Sequence, residues 1–299
     1  MIPKVEAVML TKYLSDMMVK PHQSPVFDNP TNYALEYEDV SFKASDGVTI
    51  RGWLINGGSD KIIIQSHFGV QCSRSGYCIA GKGFLKPWKS DISFLRQAKQ
   101  LVAMGYSVLM YDMRNHGESD VGTTPWITWG AEEAKDIIAA VNFVESHPTY
   151  KDAKIGLLSI CMGSAISTYA FGMDDGLKNR KNIKAMIAVQ PLQYQKFIDA
   201  LGLPKFIQRP VAKLNQERTG VDMVEKSFLP NVKDIDVPTL IVQNSNDPWT
   251  DMNFVDSFYN QLTVEKDVHW ADLAKNRIAA YDYIGQNPEG VYEWFDKYM

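Results

Sequence analysis

The chain is poor in cysteine, with three among 299 residues, which excludes the disulfide framework of small secreted folds. Two of the three sit in Gln71-Cys72-Ser73-Arg74-Ser75-Gly76-Tyr77-Cys78. A metal centre there would need further Cys or His ligands, and only His67 is close in sequence, so no metal is expected. No stretch is long and apolar enough to span a membrane. Met1-Ile2-Pro3-Lys4-Val5-Glu6 does not pair a charged start with a sustained apolar core, so no secretory signal is expected and the cytoplasm is the expected compartment. The formal net charge of −4 supplies no positive field for nucleic acid or an anionic membrane surface. What is present in ordinary measure is apolar content, 45% of residues, enough for the core of one large domain.

The patterning then gives an order of elements. Residues 1–34 read as an extension with a short helix over 10–19, followed by three prolines between 21 and 30 that break it. Strand signals at 37–44 and 48–55 flank Ser45-Asp46-Gly47 and predict an antiparallel hairpin. Residues 61–66 are nearly continuously apolar, as in a strand buried on both faces. Helical and strand patterns alternate from there. Helices are expected at 92–104, 129–146, 162–171 and 253–262, and strands at 106–111, 154–158, 183–189, 238–243 and 263–266. The end, 273–299, reads as helix interrupted at Asn287-Pro288. Such alternation implies an α/β fold, a mostly parallel central sheet flanked by helices. Residues 191–236 are too long for a simple link and contain helical fragments at 194–201 and 210–218, so they read as a small cap over the carboxyl end of the sheet. The expected organisation is an extension (1–34), a core (35–190 and 237–299) and a cap insertion (191–236).

The chemistry concentrates at Ser159-Ile160-Cys161-Met162-Gly163, between an apolar strand and a helix. A sharp strand-to-helix turn leaves room only for small side chains two before and two after its central residue. Ser159 and Gly163 satisfy that around Cys161, whereas centring the turn on Ser159 would put Leu157 in a tight position. At a helix amino terminus the dipole and free N–H groups favour a thiolate, so Cys161 is the expected nucleophile. An acid and a base should follow on loops after later strands. Asp247, in Asn244-Ser245-Asn246-Asp247-Pro248-Trp249, follows a buried strand. Its neighbour Asp251 reads as a helix cap. His269, in Asp267-Val268-His269-Trp270, is expected in the loop after the last short strand and is the expected base. His22, His67, His116 and His147 precede the nucleophile and fit other roles. The backbone N–H of Met162 is one expected oxyanion donor, and Phe68 or Gly69 of His67-Phe68-Gly69-Val70 the other. Trp88, Trp126, Trp129, Trp249 and Trp270 fall in loops or at helix starts that could line a substrate pocket.

These motifs together resemble the α/β-hydrolase superfamily over residues 36–299. Asp112-Met113-Arg114-Asn115-His116-Gly117-Glu118-Ser119 adds a fourth similarity, to the family's Asp-x-Arg-x-His-Gly-x-Ser loop, which is largely structural. Cysteine at the nucleophile position is similar to the dienelactone-hydrolase branch, whose triad is Cys, Asp and His. That branch carries Gly-x-Cys-x-Gly-Gly, where this chain has Ser159 at the first position and Ser164 at the last. The resemblance implies a Cys161–His269–Asp247 triad that cleaves an ester, thioester or lactone of a small-molecule acyl substrate through an acyl-cysteine, with no cofactor. Transfer of the same acyl group to an alcohol, amine or carbon nucleophile, or its cyclisation, is the enzymatic alternative. A binding module that retained the fold without catalysis is the third reading.

Overall fold

The structure, a computed structural model, describes residues 4–21, 24–69, 72–80 and 90–299. Helix α1 (Lys4–Val19) leads into the hairpin of β1 (Tyr37–Lys43) and β2 (Thr49–Ile55), and β3 (Lys61–Ser66) follows. Three two-residue strands come next, β4 (Cys72–Ser73), β5 (Gly76–Tyr77) and β6 (Ile92–Ser93). Then the alternation sets in: α2 (Leu95–Ala103), β7 (Ser107–Tyr111), α3 (Ala134–Ser146), β8 (Lys154–Ile160), α4 (Met162–Phe171) and β9 (Ile183–Val189). After α5 (Tyr194–Ala200) and α6 (Lys205–Thr219), β10 (Thr239–Asn244), α7 (Met252–Gln261), β11 (Lys266–Ala271), α8 (Ile278–Gln286) and α9 (Glu293–Tyr298) complete the chain.

The main sheet has eight strands in the order β1-β2-β7-β3-β8-β9-β10-β11. Only β1 and β2 run antiparallel to their neighbours; β7, β3 and β8 to β11 pair in parallel. Alternate side chains along each strand enter opposite layers. Ile63 thus joins the core shared with α1, α2 and α8, while Ile62 and Ile64 join the one shared with α3, α4 and α7. The continuous apolar runs of β3 and β8 are therefore buried on both faces, as their pattern implies. β8 lies between β3 and β9, so its carboxyl end opens at the middle of the sheet edge where α/β proteins place their ligands.

Three departures from the expected elements have local causes. The helix expected at 129–146 begins only at Ala134, because Trp129 takes a left-handed φ of 56° and buried Glu133 folds back to accept from the Thr128 and Gly130 amides. The last strand runs Lys266–Ala271 rather than 263–266, in register with β10 from Thr239 to Asn244. The first helix is longer than 10–19 and is tied to α6: Arg218 donates to Ser15 Oγ at 2.6 Å and Asp16 Oδ1 at 2.8 Å. Its terminal carbonyls are taken by the core, Val19 by the Ile127 amide and Met18 by the Trp129 indole, at 2.8 and 2.9 Å. Past α6, Phe228 and Val232 turn back into the core beside α4 and α7. Among the described residues no helix is long and apolar enough to cross a membrane.

Candidate active site

Cys161 stands alone between β8 and α4 with φ 55° and ψ −104°, a conformation costly for any residue with a Cβ. The surroundings hold it there. Its N–H donates to Val189 O at 2.8 Å, and its carbonyl accepts from Ser164 N at 2.9 Å. A Cβ on Gly163 would lie 2.5 Å from the Ser66 carbonyl oxygen, so only glycine lets α4 approach β3 this closely. Ser164 closes the turn from the other side, donating from Oγ to the Ser159 carbonyl at 2.6 Å, while the Ser159 and Ser167 hydroxyls pair at 2.8 Å. The serines that replace glycines of the branch pattern thus bind the first turn of α4 to the strand end.

Two side chains of the α8 region, Arg277 and, one turn on, Tyr281, lie near enough to Cys161 for its sulfur to bear on their ionisation. The Arg277 guanidinium is 1% exposed and forms an ion pair with Asp247, whose side chain is fully buried. Nη1 also donates to Thr250 Oγ1 at 3.0 Å, and Nη2 donates to the Gln190 carbonyl. Asp247 is oriented by the Trp249 amide at 2.9 Å and by Gln243 Nε2 at 3.2 Å. Burial works against the guanidinium charge, but Asp247, Tyr281 and Cys161 outweigh it and hold the proton more firmly than usual. Burial also pushes the Tyr281 hydroxyl well above its ordinary range, so the phenol keeps its proton. The order of groups is therefore sulfur, guanidinium, carboxylate, where the sequence led us to expect sulfur, imidazole, carboxylate.

His269 is not part of it. Because β11 extends to Ala271, His269 lies within the strand and not in the loop beyond it. Its Nε2 is 2.9 Å from Tyr283 Oη and its ring lies against Gly290, over a groove of about 310 Å³ bordered by Asp267, Glu293 and Lys297. Among the described residues no hydrogen bond joins it to Cys161 or Asp247. Asp247 is thus brought to Cys161 through Arg277, and His269 is not brought there at all. The tryptophans also divide. Trp249 lies 5.9 Å from Arg277 and packs edge-on against Phe197 of α5, which touches Trp129, and Trp129 meets Tyr194. Trp126 instead carries Arg218 over its ring at 4.4 Å, and Trp270 is exposed on the edge strand, on the face opposite His269. Trp88 lies outside the described residues.

The loop after β3 reaches α4. A Cβ on Gly69 would meet Met162 Sδ at 3.0 Å, and the Phe68 ring stacks on Tyr281 at 4.8 Å. Burial pushes the thiol of Cys72, just beyond this loop, far up. His67 donates from Nδ1 to Phe68 O at 2.6 Å and accepts at Nε2 from the Met113 amide at 3.2 Å, so it is held neutral. Burial, then neighbouring His116, depress it to about 3. A histidine depressed in the folded state binds its proton first when unfolded. Stability is therefore retained above about pH 6.5 and falls as pH drops from there toward 3. Urea midpoints at pH 7 and pH 5 should show this loss, approaching about 1.4 kcal/mol per pH unit for this one group. A variant with His67→Gln should show a shallower slope. The Asp112 loop is structural as expected: Asp112 accepts from the Glu118 and Arg74 amides at 2.9 and 2.6 Å, and Arg114 is locked by Asp136 and Asp46.

Sequence reasoning missed Arg277 and Tyr281. A signal existed: Arg277 opens the otherwise apolar run Ile278-Ala279-Ala280-Tyr281, and a guanidinium four residues before a phenol on a buried helix face needs a partner inside.

With this geometry in view, comparison with known proteins defines the class. Residues 81–231 match the family model described as alpha/beta hydrolase fold, and the chain belongs to that family. A polyketide transferase of a Penicillium species is 28% identical over 206 residues, 68% of this chain and 60% of its own length. A thiohydrolase of Aspergillus aculeatus is 26% identical over 182 residues, 61% of this chain and 48% of its own. The chain therefore spans about half to three-fifths of these curated relatives. Among solved structures, a Pyrococcus furiosus esterase superposes with a TM-score of 0.70 at 24% identity, covering 94% of this chain and 98% of its own.

Proposed function

We propose that the chain is an acyl-transfer enzyme that carries its acyl group as a thioester on Cys161. The observation that supports this best is the Cys161 sulfur on its strained turn, with a buried guanidinium against it that Asp247 holds in place. Arg277 supplies permanent positive charge near the sulfur, yet it has no lone pair with which to take a proton from water. The thiolate attacks a thioester or other activated acyl carbon, forming the C–S bond, while the donor's leaving group departs with its electron pair. The N–H of Met162, at the start of α4, and that of Gly69, whose backbone lies against the Met162 side chain, are the donors we assign to the oxyanion. An acceptor nucleophile then attacks the acyl carbon and Cys161 leaves as thiolate. A thiolate leaving group needs no proton to depart, which suits a site without imidazole. Trp249, 5.9 Å from Arg277, packs with Phe197, Trp129 and Tyr194 into an aromatic cluster that would suit an apolar acyl chain.

One relative is named a polyketide transferase and another a thiohydrolase, in keeping with an acyl-cysteine. Hydrolysis of the same intermediate is the second reading, favoured by the thiohydrolase and esterase likenesses. Incubation with an acyl thioester of N-acetylcysteamine, followed by peptide mass spectrometry, should place the acyl group on Cys161. Release should be faster to an added thiol or amine than to water. An enzyme that never acquires the label overturns the proposal, and release to water alone selects the second reading. Replacing His269 by alanine should leave the acylation rate within about twofold of wild type, since surface substitutions away from the site perturb little.

A further inference from the structure

We propose that two copies of this chain join edge to edge through β11, antiparallel about a twofold axis at Val268, so that one sheet runs through both. This surface is separate from the Cys161 turn and stands whether or not that turn transfers acyl groups. β11 is the last strand of the sheet and has a neighbour, β10, on one side only. The carbonyls of Glu265 and Ala271 accept from the Thr239 and Ser245 amides, at the two ends of β10. A residue's N–H and C=O leave a strand on the same side, and the side alternates along the chain. Lys266, Val268 and Trp270 therefore aim theirs at the open edge. Among the described residues the bond made there is local, from the Val268 N–H to the Asp267 carboxylate at 2.8 Å. A bare edge of this kind is a template for another strand. The opposite edge, β1, is blunted by exposed Glu38, Asp39, Ser41 and Lys43. β11 instead shows Trp270, 39% exposed, beside a half-buried Val268.

The occupant is a second copy because the strand complements itself. Antiparallel pairing sets outward-facing residues opposite one another, so a self-pair centres on a single residue of the strand. Centred on Asp267, it would oppose that carboxylate to its own copy, and like charges directly opposite repel. Centred on His269, it would oppose imidazole to imidazole and leave Asp267 against Ala271. Centred on Val268, it sets Asp267 against His269 on the side of α8 and α9, and Lys266 against Trp270 on the side of α7. Symmetry makes each contact twice. The Lys266 ammonium is anchored on the Tyr259 and Leu262 carbonyls at 2.9 and 2.7 Å and lies over the Tyr259 ring. Its stem and that ring give the Trp270 indole of the other copy an apolar floor. On docking, the Val268 N–H donates to the Val268 carbonyl of the other copy, which frees Asp267 to meet His269.

Cross-linking tests the contact and its register together. In the register centred on Val268, positions 267 and 269 face each other as a non-hydrogen-bonded pair with Cα atoms about 4.5 Å apart, within the span of a disulfide. The variants Asp267→Cys and His269→Cys, mixed and mildly oxidised, should yield a heterotypic disulfide dimer. Each variant alone should run as a single chain on a denaturing, non-reducing gel. So should wild type, whose Cys72, Cys78 and Cys161 are buried. A homotypic dimer of either variant overturns the register, and a mixture that does not cross-link overturns the contact. Sedimentation of wild type at about 50 µM should give twice the mass of the chain, and a single chain there refutes the proposal. The substitution Asp267→Lys should weaken association on the order of tenfold or more, because an ammonium then faces His269 at both ends of the twofold contact. Combining Asp267→Lys with His269→Asp reverses the pair and should restore association to within about threefold of wild type. A double variant as weak as the single one overturns the pairing of these two side chains.

Discussion

Replacement of Arg277 by methionine should lower the unfolding free energy by about 3–5 kcal/mol, the cost of leaving one member of a buried ion pair without the other. The abandoned group is Asp247, whose side chain is wholly buried and whose remaining donors are the Trp249 amide and Gln243. The Gln190 carbonyl and the Thr250 hydroxyl lose a donor at the same time. Urea denaturation at neutral pH measures the effect, and a change below about 1 kcal/mol would mean that the pair is dispensable to the fold. A double replacement, Arg277→Met with Asp247→Leu, should recover much of the loss, because no charge is then stranded. Reactivity should not recover with it. Both variants lack the cation beside sulfur, so alkylation of Cys161 by iodoacetamide at pH 7 should be slower than in wild type in each.

The substitution Cys161→Ser should abolish acyl capture, by at least about 10³-fold in the single-turnover rate, the scale on which loss of a nucleophile is felt. In a hydrolase with an imidazole base the exchange of sulfur for oxygen keeps an activating partner. Here it does not. A hydroxyl ionises far less readily than a thiol, and the group at hand is a guanidinium that cannot accept its proton. The turn itself should tolerate the change, since the serine side chain is nearly the same size and meets the same backbone constraint. Unchanged melting with lost acylation is therefore the expected pair of results. Activity of the serine variant near that of wild type would show that a base acts at this site after all.

Much of this architecture was legible in the sequence because it rests on local rules. The order of strands and helices follows from apolar runs and their spacing, and the turn at Cys161 follows from the sizes of Ser159 and Gly163. Asp247 follows from its place just past β10. What could not be read depends on where a strand stops. A shift of the last strand from 263–266 to Lys266–Ala271 moves His269 from a loop into the sheet, and the strand's alternation then turns its ring toward Tyr283. Register of that kind is set by pairing with β10, residue against residue, and no local signal encodes it. Arg277 was hidden for a different reason. Arginine is ordinarily a surface residue, and its burial becomes visible only once Asp247 is brought against it from 30 positions away.

The clasp between α1 and α6 bears on how such proteins can be recombined. Arg218 grips the first helix, and the core closes on the last two carbonyls of that helix through Ile127 and Trp129. Trp129 in turn touches Tyr194 and Phe197 of α5. Replacing α5 and α6 alone would sever one half of a two-part buckle, so chimaeras should exchange the opening helix and these two helices as a single module.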